Sequence, residues 1–164
     1  MKIREANAAD RDEIVELYIR SQRATGLPDP VHLPPAKLGA QLYARKALGR
    51  YVVELDQHIV AHGLIEEPNS DHIEVWQQGT PPGLIPSFIE LGGAFVDPKF
   101  SRQGLWTGLL EYRLQLVEKR LAIPVSATWT QNEHVKRAFC AYGGIEVGQQ
   151  VTSLGSVSLF VFSR

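Results

Sequence analysis

The chain of 164 residues has one cysteine, Cys140, and one methionine. A single thiol excludes an intramolecular disulfide and any cluster of cysteine ligands around a metal. No apolar run approaches the length that crosses a bilayer. The amino-terminal residues 1–5 are charged, but no apolar run follows them, so no signal peptide is expected. These absences predict a cytoplasmic protein that does not act at a membrane.

Positive charge is also scarce. The formal net charge is −1 at pH 7, so the chain lacks the basic excess expected of a nucleic-acid binder. Residues 51–98 contain no Lys or Arg, although they hold eight Asp and Glu residues. Two interpretations stay open: a chance distribution over solvated loops, or a site that attracts a cation on one side and a polyanion on the other.

The pattern of apolar residues predicts one α/β (α+β) domain over residues 1–164. With 44% hydrophobic and 21% charged residues, the chain is long enough to bury a core. Periodicity gives the order β-α-α-β-β-β-α-β-α-β-β, which implies a mixed sheet with helices on both faces. The predicted strands are 3–6, 51–55, 58–66, 88–96, 125–129, 146–152 and 157–162. The first predicted helix begins at Asn7, and the other predicted helices span 36–48, 104–121 and 132–142.

Capping and loop signals refine this order. Asn7 is placed to cap the first helix, with Asp10 reaching back from its third position. Prolines break the chain into a loop at 27–35. Residues 68–86 are predicted to be irregular, with 73–76 as a strand extension, and a loop of that length is typical of a functional segment. Cys140 is expected to be buried in the core.

The segment 88–110 carries the most specific signal. An apolar strand ends at Val96, a turn follows at 97–100, and a long amphipathic helix starts directly after Gly104. The first N–H groups of a helix have no partner within the helix, and the helix dipole adds positive charge there. Lys99 and Arg102 add full charges nearby. This combination predicts a binding site for a phosphate group.

This segment resembles the signature of the GNAT superfamily of N-acyltransferases, which use acetyl-CoA. The signature reads Arg/Gln-x-x-Gly-x-Gly/Ala after a strand that ends in Val-x-Pro. Residues 96–98 match the strand end, and Gly104 takes the first glycine position. Ser101 stands where the family has Arg or Gln, and Trp106 stands where it has Gly or Ala. The resemblance is strongest over residues 88–144.

The resemblance implies a splayed sheet and a set of acetyl-CoA contacts. Main-chain N–H groups would hold the diphosphate, the strand before the turn would pair with the pantetheine arm, and an Asn at the next helix start would be followed by a Tyr near the sulfur. That Tyr position is occupied by Phe139. The implied cofactor-binding residues are Ala94, Phe95, Val96, Arg102, Gln103, Gly104, Leu105, Trp106, Thr107, Asn132 and Phe139. No metal is implied.

Acyl transfer to an amine needs a base, a donor for the oxyanion and a proton for the departing thiolate. By resemblance, Glu90 is the base, eight residues before the proline of the signature, and the N–H of Val96 is the oxyanion donor. Glu90 is equally compatible with a structural ion pair. Tyr142, one helical turn after Phe139, is the candidate acid, although it also suits a core or helix-end position. His72 is a lesser candidate base.

The acceptor is predicted to be a small-molecule amine, and the acidic middle of the chain favours a cationic one. Residues 26–36, Tyr43 and 76–88 are expected to line its pocket, with Tyr43 and Trp76 as an aromatic wall. A homodimer is left open. Two other functions remain: an acyl-CoA-binding protein of the same fold without turnover, suggested by Trp106 and Phe139, and an unrelated phosphate or nucleotide binder.

Overall fold

The computed structural model describes residues 1–25, 35–44, 46–81, 87–153 and 155–163. Its strands are β1 (Lys2–Glu5), β2 (Ala47–Leu55), β3 (His58–Glu66), β4 (Phe88–Val96), β5 (Ile123–Trp129), β6 (Gly144–Thr152) and β7 (Gly155–Phe162). Its α-helices are α1 (Arg11–Thr25), α2 (Pro35–Ala44), α3 (Ile73–Gln78), α4 (Leu105–Lys119) and α5 (Glu133–Ala141). Single 3-10 turns cover Ala8–Asp10, Ser70–His72 and Pro98–Phe100.

The strands form a mixed sheet in the order β1-β2-β3-β4-β5-β7-β6. β4 and β5 run parallel, whereas β1 pairs with β2, β2 with β3, β5 with β7 and β6 with β7 in antiparallel fashion. The predicted α/β class, a mixed sheet combined with helices, is confirmed.

Contacts divide the chain into two compact units. The first unit comprises Met1–Glu66 and Gly93–Leu110, and the second comprises Glu67–Gly92 and Glu111–Arg164. The chain passes from one unit to the other three times: after Glu66, inside β4 after Gly92, and inside α4 after Leu110. β4 therefore contributes its first half to the second unit and its second half to the first. That residues 1–164 make a single domain stays a prediction.

The core of the first unit lies between helix α1 and the sheet. Ile14 and Leu17, one turn apart on α1, pack with Val52, Ile59 and Phe95. This spacing places both helix residues on one face. α1 also packs against α2 through a second buried cluster of Val15, Leu38 and Leu42.

The second unit has its own core. Trp76 of α3 is fully buried against Phe88, Val125, Leu159 and Val161. None of the helices in the described ranges is long and apolar enough to cross a membrane.

The predicted cap at Asn7 is confirmed. Its side chain accepts a hydrogen bond from the N–H of Ala9 at 2.9 Å, and Asp10 Oδ2 accepts from the N–H of Asn7 at 2.7 Å. Arg4 binds both carboxylate oxygens of Asp10, at 2.7 and 2.9 Å, and donates a third bond to Glu54. The hydrogen bonds from Arg4 hold the pKa of Asp10 below its ordinary value.

Several predicted boundaries are wrong. The helix predicted over 36–48 ends at Ala44, because β2 begins at Ala47 and pairs there with β3. The strand extension predicted over 73–76 is part of helix α3, since a helical turn brings Ile73 and Trp76 to the same core. The strands predicted over 51–55 and 58–66 are joined by a turn at Asp56 and Gln57, which have positive φ angles of 48° and 67°. The predicted loop residues 27–34 and Leu154 of the last hairpin lie outside the described residues.

Asp10→Asn should lower the free energy of unfolding by about 2 kcal/mol at neutral pH, because a charge-assisted pair with Arg4 is lost. The pKa of Asp10 is depressed in the folded state, so this contribution is present above the unfolded carboxyl pKa and disappears as pH falls through the folded value. Urea denaturation at about pH 7 and about pH 3 measures both effects. Asp12→Asn, on the exposed first turn of α1, is the matched control; a cost equal to that of Asp10→Asn would contradict the prediction.

Candidate functional site

Asp97 fixes the turn that follows β4. Its carboxylate accepts the N–H of Lys99 at 3.0 Å and the Nε–H of Arg20 at 2.9 Å, and its own N–H donates to the carbonyl of Val60 at 2.8 Å. Asp97 caps the 3-10 turn Pro98–Phe100, with Pro98 at the first position, where its missing N–H costs nothing. Only 5% of Asp97 is exposed. One side chain therefore joins β4, α1 and the turn.

The next residues leave main-chain N–H groups exposed at the start of α4. Residues 101–104 are exposed, and Arg102 and Gly104 have φ angles of 62° and 74°. The first helical bond described runs from the N–H of Gly108 to the carbonyl of Gly104, at 2.9 Å. Within the described ranges, the N–H groups of Arg102, Gln103, Gly104, Leu105 and Thr107 donate no hydrogen bond. Such backbone donors, with a helix dipole behind them, form an anion-binding concavity.

Charge and bulk at this turn also suit an anion. The side chains of Lys99 and Arg102 are exposed and add positive charge. Leu105 is buried and anchors the first helical turn, while Trp106 and Thr107 are partly buried. Thr107 Oγ1 binds the carbonyl of Gly104 at 2.9 Å. Trp106 is therefore partly buried, and residues 101–104, which precede it in the chain, remain exposed.

The second half of β4 carries one buried and two partly buried side chains. Ala94 and Val96 are partly buried and small. Phe95 is buried, with its ring stacked on His62 at 4.7 Å and edge-on to Tyr18 at 5.1 Å between centroids. Any ligand contact by residue 95 must therefore use its main chain.

Glu90 lies in the second unit and is only 7% exposed. Its Oε2 accepts the N–H of Asn69 at 2.9 Å, which ties the carboxylate to the segment before α3. Strict alternation along β4 would place Glu90 on one strand face with Ala94 and Val96. Gly93 lies between them with a φ of 52°, and a left-handed residue interrupts this alternation.

Three predicted residues lie on or beside helix α5. Asn132 is the N-cap, and its side chain accepts the N–H of Val135 at 3.4 Å. Phe139 is 4% exposed and packs edge-on to Phe160 and Phe162, with centroids 5.1 and 5.4 Å away. Tyr142 is the partly buried C-cap.

Cys140 is exposed, so the prediction that it is buried is wrong. The apolar face of α5 is the one with Phe139, and the next residue turns away from it.

The predicted aromatic wall of the acceptor pocket is wrong for Trp76, which has no exposed surface because it fills the second core. Tyr43 is partly exposed, and the guanidinium groups of Arg50 and Arg11 lie 4.2 and 5.1 Å from its ring centroid. Its place in an acceptor pocket stays a prediction. Residues 26–34 and 82–86 of the predicted pocket lie outside the described residues.

His72 is buried edge-on against Trp76, with ring centroids 5.2 Å apart. Burial lowers the pKa of His72. The imidazole is therefore neutral at neutral pH. Within the described ranges, no group of three or more His, Cys, Asp and Glu residues is placed to hold a metal ion.

Solved structures share this architecture over nearly the full length of the chain. A ribosomal-protein-alanine N-acetyltransferase from Brucella melitensis superposes with a TM-score of 0.74 at 14% identity, covering 98% of each chain. A GNAT-family acetyltransferase from Streptococcus pneumoniae gives 0.71 at 15% identity, covering 99% of each chain. The chain has the GNAT fold.

A third similar structure, from Salmonella typhimurium, was solved with its cofactor acetyl-CoA. Its TM-score is 0.73 at 17% identity, and the match covers 99% of this chain and 93% of that one. No protein-family model matches the sequence, and no curated protein matches it in sequence. At these identities the comparisons establish the fold, and the activity has to be argued from the site.

Some contacts that build the site were not predicted from the sequence. The ion pair between Arg20 and Asp97 joins residues 77 positions apart, and no local pattern marks it. The cap formed by Asp97 had a visible signal, because an Asx residue directly before a proline is typical of a helix start.

Asp97→Asn and Asp97→Ala should separate the two tasks of this carboxylate. Asparagine keeps a side-chain oxygen for the cap but loses the charge that pairs with Arg20, whose side chain is 40% exposed. Loss of this charge should lower the free energy of unfolding by less than about 1 kcal/mol. Alanine loses both the cap and the charge, and it should lower the free energy of unfolding by about 1 kcal/mol more than asparagine does. Urea denaturation measures the difference, with Asp71→Asn, an exposed residue, as control. Equal stability of the two Asp97 variants would contradict the assignment of the cap.

Proposed function

We propose that this protein is an N-acetyltransferase that moves an acetyl group from acetyl-CoA to an amine. The observation that carries the proposal is the set of main-chain N–H groups at residues 102–105 that donate no hydrogen bond within the described ranges, at the start of α4 and beside two exposed cations. The GNAT fold supplies the context, and one protein that shares it is known with acetyl-CoA bound.

The residues present fit the nucleotide half of acetyl-CoA. A diphosphate needs several donors on one side, which the amides from Gln103 to Thr107 supply, and Lys99 or Arg102 adds the charge that Ser101 lacks. Gly104 allows close approach because it has no side chain. Acetyl-CoA, when bound, supplies the activated acyl group as a thioester.

The backbone of residues 94–96 is assigned to the pantetheine arm by the same proposal. Ala94 and Val96 keep side-chain bulk low, and Phe95 is turned into the core. The N–H of Val96 is the proposed donor to the negative charge that develops on the acyl oxygen. Asn132 stays a proposed cofactor contact, although its side chain also caps α5.

Glu90 is the proposed general base, acting through water on the acceptor ammonium. Its hydrogen bond from the N–H of Asn69 orients the buried carboxylate. Tyr142 is the proposed acid for the leaving thiolate. Phe139 has no proton to give, and its burial among Phe160 and Phe162 assigns it to packing.

The acceptor is proposed to be a small-molecule amine. Support from the acidic segment 51–98 is weaker than the sequence indicated, because three of its carboxylates are engaged within the protein. Glu54 binds Arg4, Asp97 binds Arg20, and Glu90 accepts from Asn69.

An acyl-CoA-binding protein without turnover is the second candidate. Two observations favour it: Phe139 is buried and cannot protonate a thiolate, and Glu90 already has a main-chain partner and little exposure. Thiol release from acetyl-CoA across a panel of amines separates the two candidates. Firm CoA binding with no amine-dependent thiol release would favour the second.

Gly104→Ala should weaken acetyl-CoA binding at least about tenfold, because a side chain is strained at a φ of 74° and fills the space in front of the amides. Calorimetric titration with acetyl-CoA, CoA, ATP and inorganic phosphate measures this. Gly108→Ala is the matched control, since its added Cβ would meet only Met1, at an ordinary 3.9 Å. Wild-type binding to ATP but not to CoA would end the proposal.

Glu90→Gln should lower kcat/KM by roughly a hundredfold and remove the acidic limb of the pH profile, while CoA affinity stays nearly intact. Steady-state thiol release against pH is the measurement. Glu111→Gln, an exposed carboxylate on α4, is the control. Unchanged turnover in the Glu90 variant would remove this residue from the mechanism.

A further inference from the structure

Three consecutive carbonyl groups of β4 are bound by side chains. The carbonyl of Leu91 accepts the hydroxyl of Ser126 at 2.7 Å. The carbonyl of Gly92 accepts Nη1 of Arg113 at 3.1 Å, and that of Gly93 contacts Nδ1 of His62 at 3.1 Å. Inside a sheet, carbonyls ordinarily accept N–H groups of the adjacent strand. Here the three carbonyls contact side-chain donors from three different elements, β5, α4 and β3.

These bonds begin where the parallel ladder stops. Phe88, Ile89 and Glu90 pair with residues 123–125 of β5. The same register would next oppose Leu91 to Ser126, and at this position the serine binds through its hydroxyl. Gly93 then takes a φ of 52°. The change from ladder to side-chain hydrogen bonds therefore coincides with the irregular point of the strand.

All three donors are buried. Ser126 and Arg113 are each 1% exposed, and His62 has no exposed surface. A buried donor without a hydrogen-bond partner costs free energy, so each of these side chains holds its carbonyl firmly. Because a carbonyl only accepts, Nδ1 of His62 must carry the hydrogen in this contact. The stacking of His62 on Phe95 fixes the ring that donates it.

We propose that Ser126, Arg113 and His62 are positioning residues for acetyl-CoA. By holding the carbonyls of residues 91–93, they end the ladder at Glu90 and set the main chain of residues 94–96 for pairing with the amide groups of the pantetheine arm. This inference rests on the proposed function. None of the three side chains takes part in the chemical step.

The first experiment compares two ligands on two serine variants. Ser126→Ala should weaken CoA binding about fivefold, since one hydrogen bond to β4 is lost. The same variant should bind 3′-phosphoadenosine 5′-diphosphate, the half of CoA without pantetheine, as tightly as wild type. Ser158→Ala removes an equally buried serine from β7 and should change neither affinity. Calorimetric titration gives all the values.

A pair of histidine variants tests the donor itself. His62→Phe keeps a ring against Phe95 but has no N–H, whereas His62→Asn keeps a donor near the position of Nδ1. The asparagine variant should bind CoA more tightly than the phenylalanine variant, with nucleotide binding alike in both. Equal loss of both ligands in Ser126→Ala and in both histidine variants would indicate general destabilisation and overturn the proposal, as would unchanged CoA binding.

Hydrogen exchange in the ligand-free protein separates this inference from the proposed function. Residues 91–96 should exchange faster in Ser126→Ala than in wild type or Ser158→Ala, whatever ligand the protein uses. If wild type fails to bind CoA while this exchange pattern holds, the proposed function is wrong and the role of Ser126 in holding β4 stands. If exchange is unchanged, the positioning role is wrong even where CoA binds.

Discussion

The carboxylate of Asp97 is the constraint on which the candidate site depends. It ends β4, caps the turn after it and binds Arg20 of α1, with only 5% of the residue exposed. These bonds fix the direction in which the chain leaves β4 towards α4, where residues 102–105 follow. The candidate anion site therefore depends on backbone direction more than on side chains.

A second constraint lies five residues earlier, where β4 changes its hydrogen-bonding partners. Up to Glu90 it pairs as an ordinary parallel strand, and from Leu91 to Gly93 its carbonyls are held by side chains. Gly93 adopts a left-handed conformation at this point. Beyond Glu90, no further pairing of β4 with β5 is found among the described residues.

Three acidic side chains of the segment 51–98 bind groups inside the protein and are not left free to attract a ligand. The sequence has an acidic stretch without Lys or Arg, and this favoured a cationic acceptor. Glu54 and Asp97 instead face arginines of the first unit, and Glu90 accepts a main-chain N–H in the second. Counting charges along the chain overestimates a field when the charges are paired in the fold.

The sequence by itself determined the element order, the cap at Asn7 and the turn from Val96 to Gly104, because these depend on short-range patterns of apolar residues, caps and glycines. Tertiary structure decided where β2 and α3 begin, the burial of Trp76 and Phe139, and the exposure of Cys140. It also decided which distant side chains hold Asp97 and the carbonyls of β4. Those outcomes depend on contacts between residues far apart in the chain, such as Arg20 with Asp97 and Ser126 with Leu91, and no local pattern encodes them.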